Sequence, residues 1–170
     1  MRWRGKRRKK AGTAGMVSST LCSECGATLA DGRTCADDFH QLLFWENERP
    51  ELGEVHHLLV LCYHLQHPSL YSAEGLAHAR QLLDAFVTEG LSPEAVRQRQ
   101  RAAVDSGARG WSVTERPGNR GSYGRAMSWR VTVGDVVAAG IDNYRSQIRS
   151  WADSIDATLQ ALESETGTFQ

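Results

Sequence analysis

Apolar residues recur along this chain at helical spacing, and the recurrences predict a mainly α protein. Phe39, Leu42 and Leu43 follow a start at Thr34 or Cys35, where Asp37 and Asp38 suit the helix dipole. A second helix is predicted from about Glu54 to Gln66, stopped by Pro68. Val55, Leu58, Leu59, Cys62 and Leu65 form its main stripe, with Val60 and Leu61 off it, so it is apolar on much of its circumference and central. A third helix starts at Ser72 and runs to about Glu89, with Leu76, Leu83, Phe86 and Val87 inward. Ser92 and Pro93 supply an N-cap and an N1 proline for a fourth, to about Val104. Thr132 and Asp135 have the spacing of a capping box before a short helix ended by Gly140. Tyr144, Ile148, Trp151, Ile155, Leu159 and Leu162 then mark one face of a long helix from Ile141 to about Glu163.

Two stretches lack that period. Cys22 to Arg33 reads as a knuckle and tight hairpin, with Asp31 and Gly32 in the turn. Residues 107–131 are broken by glycines, Pro117 and Asn119, and read as a long loop with two short strands, around Trp111–Val113 and Met127–Val131, pairing with each other.

Charge divides the chain, although its formal net charge is zero over 170 residues. Residues 1–20 carry Arg2, Arg4, Lys6, Arg7, Arg8, Lys9 and Lys10 and no acid, and hold every lysine of the chain. They read as a disordered basic tail, with Met16 as an alternative start, before a single zinc-binding helical domain over 21–165. Residues 97–130 hold eight arginines against Asp105 and Glu115. No apolar run is long enough to span a bilayer, and no signal-type segment follows the basic start. Cytoplasmic location is the default expectation, where Cys-x-x-Cys is a metal knuckle sooner than half of a disulfide framework.

The chemistry lies in one stretch. All four cysteines and five of the six histidines fall between Cys22 and His67. Zinc takes four tetrahedral ligands, and Cys22 and Cys25 can supply two from one turn. Cys35, at a helix start, is the third. The fourth ligand stays open: His57 is preferred, with His56, His40 and His67 as alternatives. Helix geometry decides part of this, because His56 and His67 stand about 16 Å apart along one axis and cannot share a metal, and His40 lies about 140° around the helix from Cys35. Cys62, on the apolar stripe, reads as a small buried hydrophobe.

Three functions compete. The first is a zinc-stabilised binding or regulatory module with a closed, structural metal. The second is a metal-dependent hydrolase or transferase using His57, His64 or His67 around an open site; no catalytic residue is assigned. The third, not favoured, is nucleic-acid binding through residues 97–130, with Trp111, Tyr123 and Trp129 stacking on bases; the net charge of −7 beyond the tail opposes it. No partner is identified from the sequence.

The words Cys22-Ser23-Glu24-Cys25-Gly26, Thr34-Cys35, Gly53-Glu54-Val55-His56-His57-Leu58 and Leu65-Gln66-His67-Pro68-Ser69, with Leu91-Ser92-Pro93 and Trp129, resemble a family of bacterial proteins classed as a domain of unknown function. The resemblance spans roughly residues 21–160. It implies one domain in which the knuckle, the His56-His57 pair and Gln66-His67-Pro68 belong together, and it implies no activity.

Overall fold

Six α-helices and one short hairpin are the main elements of the described residues. A computed structural model describes residues 19–30, 32–105 and 112–167. Residues 1–18 of the basic tail, Asp31 and Trp111 lie outside them.

The hairpin pairs β1 (Thr20–Leu21) antiparallel with β2 (Thr28–Leu29), Thr20 opposite Leu29 and Leu21 opposite Thr28. α1 (Cys35–Glu48) begins at the N-cap Thr34, whose hydroxyl accepts from Asp37 N while the Asp37 carboxylate accepts from Thr34 N. This reciprocal bonding satisfies two amides that a helix start leaves free. α2 (His56–Gln66) starts two residues later than its stripe suggests. A 3-10 turn over Pro50–Val55 takes up the first of those positions, and its proline fixes φ at N1.

α3 (Ala73–Val87) starts under the Ser72 cap and α4 (Pro93–Asp105) follows Ser92, whose hydroxyl accepts from Ala95 N. α5 (Val133–Ala139) has the expected capping box of Thr132 and Asp135 and ends at Gly140, where φ is +79°. α6 (Tyr144–Gly167) follows a short turn over Ile141–Asn143.

α2 is the central element, packed against α3, α4 and α6. Leu58, Leu59, Leu61, Cys62 and Leu65 are all buried, which explains why apolar residues run around most of this helix. Tyr144, Ile148, Trp151, Ile155 and Leu159 bring the α6 stripe onto it, all buried, with Leu162 half-buried at the end.

The long loop differs from expectation. Among the described residues its two runs do not pair with each other. Thr114 and Arg120 instead form isolated antiparallel bridges to Tyr71 and Ser72, just before α3. Ser72 N donates to Val113 O, Ala73 N to Asn119 O and Gly121 N to Tyr71 O. Gly75 makes this crossing close: a Cβ there would lie 2.3 Å from the Val113 carbonyl oxygen. Residues 112–131 thus form a strap across the start of α3 and the end of α2. Gln66 Nε2 donates to Val131 O and Tyr123 Oη to Leu65 O, fixing its second half to α2.

Candidate metal centre

The knuckle is a local consequence of Gly26. Its φ of +72° lies in the left-handed region that other residues adopt at a cost. Gly26 N then donates to Cys22 O, and Cys22 N to Ala27 O. That turn aims both knuckle sulfurs the same way. The Thr34 capping box sets Cys35 at the first helical position of α1, and Arg33 bonds Asp38 at 2.5 Å beside it. At the far end of α2, His67 leaves the helical conformation ahead of Pro68, whose ring disfavours a helical residue before it. A second link pins the knuckle to this end: Ser69 N and Oγ both donate to the Glu24 carboxylate, at 3.1 and 2.8 Å.

These elements gather four ligand atoms. One atom each from Cys22, Cys25, Cys35 and His67 all lie within 4.8 Å of one another. Cys25 Sγ and Cys35 Sγ are 3.4 Å apart, and Cys22 Sγ and His67 Nε2 are 3.7 Å apart. Zinc at its usual bond lengths holds tetrahedral sulfurs about 3.8 Å apart, and a sulfur and a nitrogen about 3.5 Å apart. Three thiols and an imidazole at these separations therefore suit a soft or borderline divalent ion. His67 Nδ1 donates to the Tyr63 carbonyl at 2.7 Å. A carbonyl can only accept, so the proton sits on Nδ1, and the Nε2 lone pair faces the sulfurs. Orientation of a histidine ligand through its other nitrogen is general in metal sites.

Ionisation of the three thiols is coupled to the charge the cluster holds. Burial works against ionisation of Cys22, but the Cys25 and Glu24 amides, with the neighbouring thiols, outweigh it and hold its thiol below the ordinary cysteine range. Burial pushes Cys25 up to about 11 and raises Cys35 further, reinforced by the adjacent sulfurs. The three thiols therefore do not ionise together unless positive charge enters. Tyr63, stacked on Phe39 with centroids 4.2 Å apart, is pushed up to about 12 by burial and by the same thiols.

The other candidates lie elsewhere. His57, preferred from the sequence as the fourth ligand, is outside the cluster. The knuckle meets the last turn of α2, and His57 sits ten residues back, about 15 Å along the axis. Burial pushes its imidazole down to about 4. His56 instead bonds Glu46 at 2.5 Å. His40 is exposed on α1. His64 packs edge-on against Tyr71 and is likewise pushed down to about 4 by burial. Cys62 is fully buried in the core, with its thiol pushed up by burial. Sequence reasoning missed the contributions of Glu24, Gln66 and Tyr123. The word Gln66-His67-Pro68 held the signal: a cluster residue flanked by one that grips the strap and one that ends the helix.

Fold and cluster together define a mainly α protein with a candidate metal centre of three cysteines and one histidine. The chain belongs to the Family of unknown function (DUF5946), which residues 20–160 match. No curated protein and no solved structure matches it. No helix among the described residues is long and apolar enough to cross a membrane.

Proposed function

We propose that the protein is a zinc-stabilised helical module, residues 21–165 forming one domain whose metal is structural. Cys22, Cys25, Cys35 and His67 would hold the ion, and four protein ligands close a zinc. The supporting observation is His67: its Nδ1 proton is committed to the Tyr63 carbonyl, leaving Nε2 turned to the sulfur of Cys22. The ion would tie the knuckle, the start of α1 and the end of α2 at one point, and through Gln66 it would steady the strap. A binding or regulatory role follows from a closed site beside a shaped surface. Free thiols of this kind suit a reducing compartment such as the cytoplasm. Residues 1–15 would be dispensable for folding.

The test is elemental analysis of protein lacking residues 1–15, purified without added metal. One zinc per chain, and unfolding on chelation, support the proposal. A folded protein with no stoichiometric metal overturns it.

A further inference from the structure

Part of the strap has a strand's pattern without a strand's partner. From Met127 to Val131, burial alternates. Met127, Trp129 and Val131 pack half-buried on the core, while Ser128 and Arg130 are exposed. A period of two is what a strand lying on a core produces. Yet from Arg125 to Arg130 no backbone N–H or carbonyl is hydrogen-bonded within the described residues. An unpaired run of donors and acceptors is a template for another strand.

A cavity of about 300 Å³ lies alongside, within the size range of ligand sites. Residues 125–128 and Arg130 line one side, and Ala157, Ala161 and Leu162 of α6 line the other. The two alanines lie on one helix face, and their small side chains leave room above it. Arg125 bonds Glu165 at 2.7 Å, whereas Arg130 forms no ion pair among the described residues.

We propose that this groove binds an extended, acidic peptide segment of another protein, added as a strand to the Arg125–Arg130 edge. Main-chain hydrogen bonds would give the affinity, and alternate apolar side chains would face Ala157 and Ala161. An acidic side chain would sit beside Arg130. Charge favours such a guest over a second copy of this chain. With Arg120 offset by Glu115 and Arg125 by Glu165, the strap still carries Arg116 and Arg130 without an ion pair among the described residues, so two straps side by side repel. Neither the strap nor α6 supplies a residue to the Cys/His cluster, so the groove and the metal are tested separately.

The experiment uses the full chain and two immobilised degenerate heptapeptide libraries alternating Val/Ile with polar residues. In one the polar positions are Asp, Glu or Thr; in the other they are Lys, Arg or Thr. A third set repeats the acidic library with alternate backbone amides methylated. Retention on the acidic library is expected, weaker by about tenfold or more on the other two. Ala161→Trp, which fills the groove from an exposed position, and Arg130→Glu, which reverses the charge, should each cost a similar factor in folded protein. Hydrogen exchange should show amides 126–130 unprotected in free protein and slowed by the retained peptides. No retention, retention indifferent to N-methylation, or retention indifferent to both variants overturns the proposal. So does concentration-dependent self-association that protects the same amides, which would assign the edge to a second copy.

Discussion

Cys22 Sγ and His67 Nε2 stand 3.7 Å apart, although 45 positions separate them in the chain. The two residues belong to elements formed by unrelated local rules, a glycine-permitted turn and a proline-stopped helix. Their meeting is a tertiary event, and it brings one histidine among five nearby in sequence to the sulfurs. His67→Ala and Cys35→Ser should each abolish stoichiometric metal, while His57→Ala should keep it. Metal content of the three purified variants checks this directly, and a loss confined to His57→Ala would move the site.

Proton release should accompany metal uptake. Burial holds Cys25 and Cys35 protonated at neutral pH, so a bound cation must displace their protons. Affinity should therefore rise with pH, about tenfold per unit for each proton released. Titration of the stripped protein in two buffers of different ionisation enthalpy measures that release. Affinity independent of pH between 6 and 8 would contradict it.

Legibility in the sequence followed locality. The helix starts at Cys35, Ala73, Pro93 and Val133 could be read because Thr34, Ser72, Ser92 and Thr132 cap within three residues of themselves. The three cysteines could be read as a group because the knuckle and the α1 start adjoin. That His67 and not His57 lies beside the sulfurs could not be read, since it depends on which end of α2 meets the hairpin. The strap was misread for the same reason. Its hydrogen-bond partners, Tyr71 and Ser72, lie some forty residues away, where strand periodicity gives no hint of them.

The closeness of the strap to α3 makes Gly75 sensitive. A methyl group there meets the Val113 carbonyl oxygen at 2.3 Å and Ser72 Oγ at 3.1 Å, so backbone must move. Gly75→Ala should destabilise by about 1–3 kcal/mol, as overpacking does. Gly53→Ala, with nothing within 4 Å of the added carbon, is the matched control and should be near neutral. Urea denaturation of both variants compares them.

Tyr123→Phe removes the hydroxyl that donates to Leu65 O at 2.8 Å. The loss should be about 1 kcal/mol, the net worth of a typical hydrogen bond. Metal content should be unchanged, because the ligands stay in place. A Tyr123→Phe protein that loses metal would mean the strap, not the hairpin, holds the cluster together.

His56 gives the protein a pH response of definite sign. Its Nδ1 bonds the Glu46 carboxylate at 2.5 Å, and Glu46 also accepts from Tyr144 Oη at 2.7 Å, joining α1, α2 and α6. The Glu46 hydrogen bond, opposed by burial, raises the imidazole above its ordinary value. Its contribution is complete below the unfolded pKa, about 6.5, and is lost as pH rises through the folded one. Wild type should therefore exceed His56→Gln in stability at pH 6, and the gap should narrow by pH 9. Comparing the two proteins at each pH cancels effects of the metal. A gap that widens with pH would refute the pairing.

Cobalt(II) substitution tests the central claim most directly, because its visible spectrum reports coordination number and ligand type together. Stripped protein lacking residues 1–15 and reloaded with one cobalt per chain should show intense tetrahedral d–d bands. Sulfur-to-cobalt charge transfer should accompany them, be lost in Cys35→Ser and persist in His57→Ala. Weak octahedral bands without thiolate charge transfer would contradict a closed site at Cys22, Cys25, Cys35 and His67.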